Sequence, residues 1–235
     1  MNNSKVVAIT GTSRGIGFGI AKYFLSQGYI VFGCGRSEVK DHTDNYHYSI
    51  VNITDEKQVR NWFKSIQKIY NRLDILVCNA GEVKSSLLMT VTPTNVLSSF
   101  METHIKGTFI TCREASKIMI RQKYGRIITI SSLSVPLLLE GTSAYTATKS
   151  AIVDMTKVLA KELAPTGITC NIINPGLIET DATNFFSSDW KKMLLEKQTI
   201  KSTFEIEELC YIINFFINSK SDCITGQVIS MGLVT

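Results

Sequence analysis

The chain has 235 residues, 44% hydrophobic and 19% charged, which is enough apolar material for a sizeable core and excludes a mainly disordered chain. Its 25 Lys and Arg against 20 Asp and Glu give a net charge of +5, with no basic cluster longer than Lys191-Lys192. A dedicated nucleic-acid binder concentrates its excess charge in a run or stripe, so no nucleic-acid partner is expected.

In chain order, 5–10 reads as a buried strand, 15–27 as a helix, 29–34 as a second strand and 47–51 as a weaker third. Residues 55–70 are helical, with Val59, Phe63, Ile66 and Ile69 on one face, and 73–78 is a strand. A long helix over 94–122 precedes a strand at 126–131. A helix over 143–164 is stopped by Pro165 and Gly167, and a strand follows at 168–174. A helix at 205–219 and a seventh strand at 227–231 complete the chain. Continuous apolar strands alternating with helices predict a parallel sheet covered on both faces. The expected fold is therefore α/β, a doubly wound Rossmann-type parallel seven-stranded sheet. No repeat, low-complexity tract or Pro/Gly-rich linker marks a boundary, so 1–235 reads as a single domain.

The six cysteines, at 34, 78, 112, 170, 210 and 223, include no pair three apart, so there is no zinc framework and no metal site is expected. Cys34, Cys78 and Cys170 lie within or at the ends of apolar runs, as small buried hydrophobes of a reducing compartment do. The apolar stretch Val6 to Ile9 is too short for a signal peptide or a membrane span. A soluble cytoplasmic protein without a membrane partner is the expectation.

Thr10-Gly-Thr-Ser-Arg-Gly-Ile-Gly17 follows the first strand and opens the first helix. Gly11 permits a tight turn, Gly15 lets backbone approach a pyrophosphate, and Gly17 lets helix pack on strand, with the helix N-terminus facing the phosphates. The bland alternative is a surface loop. The second strand ends in Cys34-Gly35-Arg36-Ser37, without the acid that holds an NAD ribose. Arg36, and Arg14 within the loop, are placed to pair with a 2′-phosphate, which favours NADPH/NADP+ over NAD.

Tyr145 and Lys149 share one helix face one turn apart, and Ser132 ends the preceding strand. Proton transfer coupled to hydride transfer needs such a set, because a free tyrosine has a pKa near ~10 and a neighbouring ammonium lowers it. Taken alone, Tyr-x-x-x-Lys is weak. A tyrosine with its body in the core and its hydroxyl at the rim gives the same spacing.

Together these residues resemble the short-chain dehydrogenase/reductase family over essentially the whole chain, with most likeness to its 3-oxoacyl-(acyl carrier protein) reductase group. The glycine loop, Asn79-Ala80-Gly81, the Ser132, Tyr145, Lys149 set, and Asn174-Pro175-Gly176 with Thr180 match its motifs. The resemblance implies an NADPH-dependent reductase of a carbonyl group, either a small molecule or an acyl-carrier-bound 3-oxoacyl thioester. In it Tyr145 is the acid, Lys149 lowers the Tyr145 pKa and binds ribose, and Ser132 positions the carbonyl. It places Gly11, Ser13, Arg14, Gly15, Ile16, Gly17 and Arg36 along the phosphates and Asn52 and Ile53 at the adenine. Asn79, Ala80 and Gly81 then lie at the adenosine ribose, and Pro175, Gly176, Ile178 and Thr180 at the nicotinamide. It also implies a homodimer or homotetramer built on the two long helices. The alternatives are an NAD(P)-dependent alcohol dehydrogenase acting on a sugar or secondary metabolite, and a low-turnover NADP(H)-binding protein.

Three positions depart from the family pattern. His104 stands where the family has a relay asparagine, and it is expected to replace that residue at least partly in catalysis. Asn52 stands for an aspartate that meets the adenine amino group, with its amide oxygen expected to accept instead. The C-terminus reads Ser230-Met-Gly-Leu-Val-Thr235 rather than ending in Asp-Gly-Gly, which bears on the usual tetramer contact.

Residues 180–204 are expected to form a substrate lid with Phe185, Phe186, Trp190, Met193, Leu194 and Leu195. Lys191, Lys192 and Lys197 either meet an anionic substrate or, more simply, form a solvated face. Leu137, Leu138 and Leu139 are expected to line the pocket.

Overall fold

The computed structural model describes residues 4–39, 45–83, 87–180 and 187–234. Seven parallel strands form one sheet: β1 (Val6–Thr10), β2 (Ile30–Gly35), β3 (Tyr46–Ile50), β4 (Ile75–Cys78), β5 (Gly125–Ile130), β6 (Ile168–Asn174) and β7 (Val228–Ser230). Their order is β3-β2-β1-β4-β5-β6-β7. The chain winds outward in one direction from β1 to β3 and in the other from β4 to β7. The crevice where the winding reverses lies at the carboxyl ends of β1 and β4. The doubly wound expectation holds strand for strand, with the last strand trimmed to three half-buried edge residues.

The helices are α1 (Gly15–Ser26), α2 (Glu56–Tyr70), α3 (Thr94–Phe100), α4 (Thr108–Gln122), α5 (Ser134–Leu137), α6 (Ser143–Leu163), α7 (Ser188–Lys197) and α8 (Ile206–Ile217). Strand residues alternate between two cores. Val6 and Ala8 of β1, with Phe32 and Cys34 of β2, pack on Trp62, Phe63 and Ile66 of α2 and on Ala115 and Met119 of α4. Val7 and Ile9, with Val31, pack on Ile20 and Phe24 of α1 and on Leu209, Ile213 and Phe216 of α8. This two-sided burial is why the strands read as unbroken apolar runs.

Local chemistry sets the helix ends. Asp55 caps α2 by accepting from Lys57 N (2.9 Å) and Gln58 N (3.1 Å), and the helix ends on Asn71 in the left-handed region. Glu205 and Glu208 form a reciprocal capping box at α8. After α6 the chain tightens through Ala164–Thr166 and turns at Gly167, where φ is +78°.

The single helix expected over 94–122 is interrupted. Met101–Gly107 is π-helical, with wider i→i+5 turns, and His104 lies at its centre.

Candidate functional site

A cleft of about 1130 Å³ opens at the carboxyl edge of the sheet, over the ends of β1, β2, β4, β5 and β6. It is lined by every cofactor-binding residue expected from the sequence, from Gly11 to Thr180, and by Ser132, Tyr145 and Lys149. His104 is not on its wall; it is buried directly behind, 1% exposed.

The glycine loop is held by the crevice. Gly11 has φ +75° and Gly15 φ +60°, where side chains are strained. A Cβ on Gly17 would overlap Gly11 O and the Asn79 amide. Asn79 acts as a clamp: its Nδ2 donates to Thr10 O (3.0 Å) and Gly11 O (3.2 Å). The Thr10 hydroxyl accepts from Asn79 N (3.1 Å) and Ala80 N (3.0 Å), tying β1 to the loop after β4. Thr10 carries this link, a role that its place at the head of the glycine motif did not assign. Among the described residues no side chain caps the start of α1, so its first N–H groups are open to an anion in the cleft.

Arg14 and Arg36 are exposed at the rim, and among the described residues neither is paired with a carboxylate. Next outward lies Asn52, and here the structure corrects the expectation. The Asn52 Oδ1 already accepts from Thr54 N and Thr54 Oγ1, both at 3.1 Å. The backbone N–H can only donate, so the oxygen side of the amide is fixed toward Thr54.

At the other end, β5 delivers Ser132 and α6 delivers Tyr145 and Lys149. Ser132 Oγ accepts from Ser134 N (3.1 Å) and stands on the same cleft wall as Tyr145. Burial raises the Tyr145 pKa, and the neighbouring Ser132 hydroxyl offsets this only in part. The expected lowering by Lys149 is absent in this arrangement. The ammonium donates to Ile130 O (3.0 Å) and sits 5.9 Å from the Tyr145 ring centroid. Burial lowers the Lys149 pKa to about 8.

His104 packs between Phe100, stacked at 5.2 Å, and the edge of Tyr145 at 5.5 Å. Its Nδ1 lies 2.9 Å from Thr148 Oγ1, whose own proton goes to Tyr145 O (2.8 Å). The imidazole is therefore the donor on that side. On the other side, Nε2 lies 3.1 Å from both the N–H and the C=O of Glu82. The Glu82 peptide thus serves a neutral ring by donating to it and a protonated ring by accepting from it. Gly81 borders both groups: a Cβ there would be 3.3 Å from His104 Nε2 and 3.6 Å from Lys149 Nζ. Thr148 and Glu82 are functional neighbours that sequence reasoning missed, since neither carries a motif.

The substrate end is lined by Leu139, Leu177, Trp190 and Leu194, with α7 lying across it. Leu138 is corrected: it adopts φ +49°, is 75% exposed and does not line the cleft. Leu137 packs behind Leu139 rather than lining the wall. Lys191, Lys192 and Lys197 are also off the cleft, which leaves them as the solvated face of α7. Phe185 and Phe186 lie outside the described residues.

Comparison with known proteins agrees with this geometry. The 3-oxoacyl-[acyl-carrier-protein] reductase FabG of Rickettsia conorii is 33% identical over 231 residues, covering 96% of this chain and 94% of that protein. FabG of Staphylococcus epidermidis is 32% identical over 240 residues, covering 97% of each. The solved structure of ElxO with NADP bound superposes with a TM-score of 0.89 at 30% identity over 97% of each chain. Residues 5–191 match the family model for short chain dehydrogenases. With the glycine loop, its Asn79 clamp and the Ser132, Tyr145, Lys149 set gathered in one cleft, the chain belongs to the short-chain dehydrogenase/reductase family, oxidoreductases that act between C=O and CH–OH groups.

Proposed function

We propose that this chain is an NADPH-dependent reductase that converts a carbonyl group to a secondary alcohol, with Tyr145 as general acid. The observation that carries the reading is the convergence of Ser132, Tyr145 and Lys149 at one end of a cleft whose other end holds Arg14 and Arg36. The cofactor's parts find matching groups in the chain. The glycine loop and the uncapped α1 N-terminus suit a pyrophosphate, and the two arginines suit a 2′-phosphate. When bound, the nicotinamide supplies the hydride.

The chain's own residues handle the proton. Tyr145, kept as a neutral phenol by burial, holds the proton that the carbonyl oxygen takes up. Ser132 is oriented by the Ser134 N–H and steadies that oxygen. Lys149, with its pKa near 8, is poised to give up a proton close to neutral pH. His104, served by Glu82 in both protonation states, relays protons behind it.

The substrate is a 3-oxoacyl thioester, carried by an acyl carrier, or a similar ketone. The apolar wall of Leu139, Leu177, Trp190 and Leu194 supports an apolar substrate portion, and the names of the bacterial relatives support the class. Helix α7 lies across that end of the cleft. A homodimer or homotetramer is supported by apolar residues left exposed on the long helices, among them Phe109, Ile120 and Val158. A cytoplasmic site is supported by five free cysteines kept buried. Among the described residues no helix is long and apolar enough to cross a membrane.

Calorimetric titration with NADPH and NADH tests the reading, followed by a screen of ketones and 3-oxoacyl thioesters. Tighter NADPH binding with turnover of a ketone is expected. Tighter NADH binding would overturn the arginine assignment, and binding without any turnover would make the chain a cofactor-binding protein.

A further inference from the structure

The edge strand β3 braces the loops that carry the two arginines, an inference that rests on the NADPH reading above. Tyr46 and Tyr48 are separated by one residue in β3 and so lie on the same face of the sheet. On that face β2 carries Gly33 and Gly35. A Cβ on Gly33 would lie 2.7 Å from the Tyr46 hydroxyl oxygen, and one on Gly35 would lie 2.7 Å from the Tyr48 hydroxyl oxygen. The two glycines thus open a trough, and the tyrosines of the neighbouring strand lie across it.

The hydroxyls reach two loops at the carboxyl edge. Tyr46 donates to Thr12 Oγ1 (3.0 Å), inside the glycine loop. Tyr48 donates to Ser37 O (2.5 Å), one residue beyond Arg36. Burial raises the Tyr48 pKa to about 12, so the hydroxyl keeps its proton and remains a donor across the neutral range.

Arg36 therefore sits between two anchored peptides. Before it, Gly35 O accepts from Val51 N (2.8 Å), which continues the pairing of β2 with β3. After it, Ser37 O accepts from Tyr48. The first anchor is main chain and does not depend on a side chain. The second exists because residue 48 ends in a hydroxyl. A long exposed side chain such as Arg36 loses conformational freedom when it grips an anion, and a backbone fixed beforehand reduces that loss.

We propose that Tyr48 is a positioning residue for cofactor discrimination: its hydroxyl fixes the backbone beyond Arg36 and so aims the guanidinium at a 2′-phosphate. Tyr48 touches no part of the cofactor in this role; it acts through Arg36.

The test is calorimetric binding of NADPH and NADH to the parent protein, Tyr48→Phe, Arg36→Ala and the double variant. Tyr48→Phe removes the hydroxyl and keeps the ring beside Tyr46, 6.1 Å away. It is expected to bind NADPH roughly threefold to tenfold more weakly, the worth of one neutral hydrogen bond, with NADH binding changed by less than about twofold. In the Arg36→Ala background the same substitution is expected to change NADPH affinity by less than about twofold, because the group it aims is gone. Equal weakening toward both cofactors, or no weakening at all, overturns the proposal and leaves Tyr48 a packing residue. An undiminished loss in the Arg36→Ala background overturns it as well. A parent that binds NADH as tightly as NADPH would overturn the arginine reading itself, and this inference with it.

Discussion

His104 Nδ1 and Thr148 Oγ1 lie 2.9 Å apart, and this contact ties the π-helical segment to the turn of α6 that lies between Tyr145 and Lys149. The Thr148 hydroxyl donates a hydrogen bond to Tyr145 O, so the link runs from the imidazole to the backbone of the proposed acid. His104→Asn keeps a polar group of smaller reach. If the ring relays protons, turnover falls by about tenfold, less than the ~10²–10⁴ of a direct acid, and the pH profile changes with it. Steady-state kinetics from pH 5 to 9 checks this. An unchanged rate and profile would show that the ring only packs against Phe100 and Tyr145.

Tyr145→Phe removes the hydroxyl that meets Ser132 and leaves the ring against Phe100, 5.6 Å away, and His104. Turnover should fall by about 10²–10⁴. Cofactor affinity measured by calorimetry should change by less than about twofold, because the glycine loop and the arginines are untouched.

Arg14→Ala and Arg36→Ala should separate the two nicotinamide cofactors. Each charge-assisted bond to a 2′-phosphate is worth about 1.5–3 kcal/mol. Each variant should therefore bind NADPH roughly 10- to 100-fold more weakly while NADH binding is unaltered. Parallel titrations of the two cofactors decide it.

Lys149 stabilises function at the expense of the fold. Its ammonium is buried, 5% exposed, and its pKa is lowered from 10.5 to about 8. Between these values the unfolded chain holds the proton and the folded chain has lost it, so stability rises with pH across that window. Below pH 8 the folded protein carries a net penalty of about 3 kcal/mol from this shift, with the bond to Ile130 O already included. Lys149→Met should thus melt a few degrees higher than the parent at pH 7, with the gap closing as pH approaches 10.5. Its turnover should collapse. Thermal melts at several pH values check the sign, and a gap that does not narrow with rising pH refutes the assignment.

Asn79→Ala removes the two bonds that clamp Thr10 O and Gly11 O. A loss of about 1–3 kcal/mol in stability is expected, measured by denaturant titration, together with weaker NADPH binding, because the loop that faces the pyrophosphate loses its brace.

The fold was legible because its strands are buried on both faces. Val6–Thr10 and Ile168–Asn174 are buried throughout and mostly apolar, and Pro165 and Gly167 mark where α6 must stop. The cleft wall was legible too, since the glycines are required by positive φ or by contacts too close for a Cβ. Other features left no mark in residue spacing. The π turns at 101–107 depend on the backbone hydrogen-bond register, which a periodic pattern over 94–122 does not record. Leu138 looked like its neighbours but occupies a left-handed turn that puts it into solvent. The Asn52 oxygen seemed available until Thr54, two residues on, was seen to claim it. The Lys149 ammonium sits one helical turn from Tyr145, yet it points to a strand carbonyl.

The wide turns of 101–107 work as a phase shifter. On one side of them Val96, Ser99 and Phe100 of α3 face the cleft; on the other, Ile110, Ala115 and Met119 of α4 face the core beneath the sheet. An unbroken α-helix would gear these two stripes together, so that neither could be re-aimed without the other. The slipped register lets the core stripe stay locked on the sheet while the cleft stripe, and His104 with it, is aimed separately. Losing one residue here would cost little backbone hydrogen bonding and would still throw the two halves out of alignment.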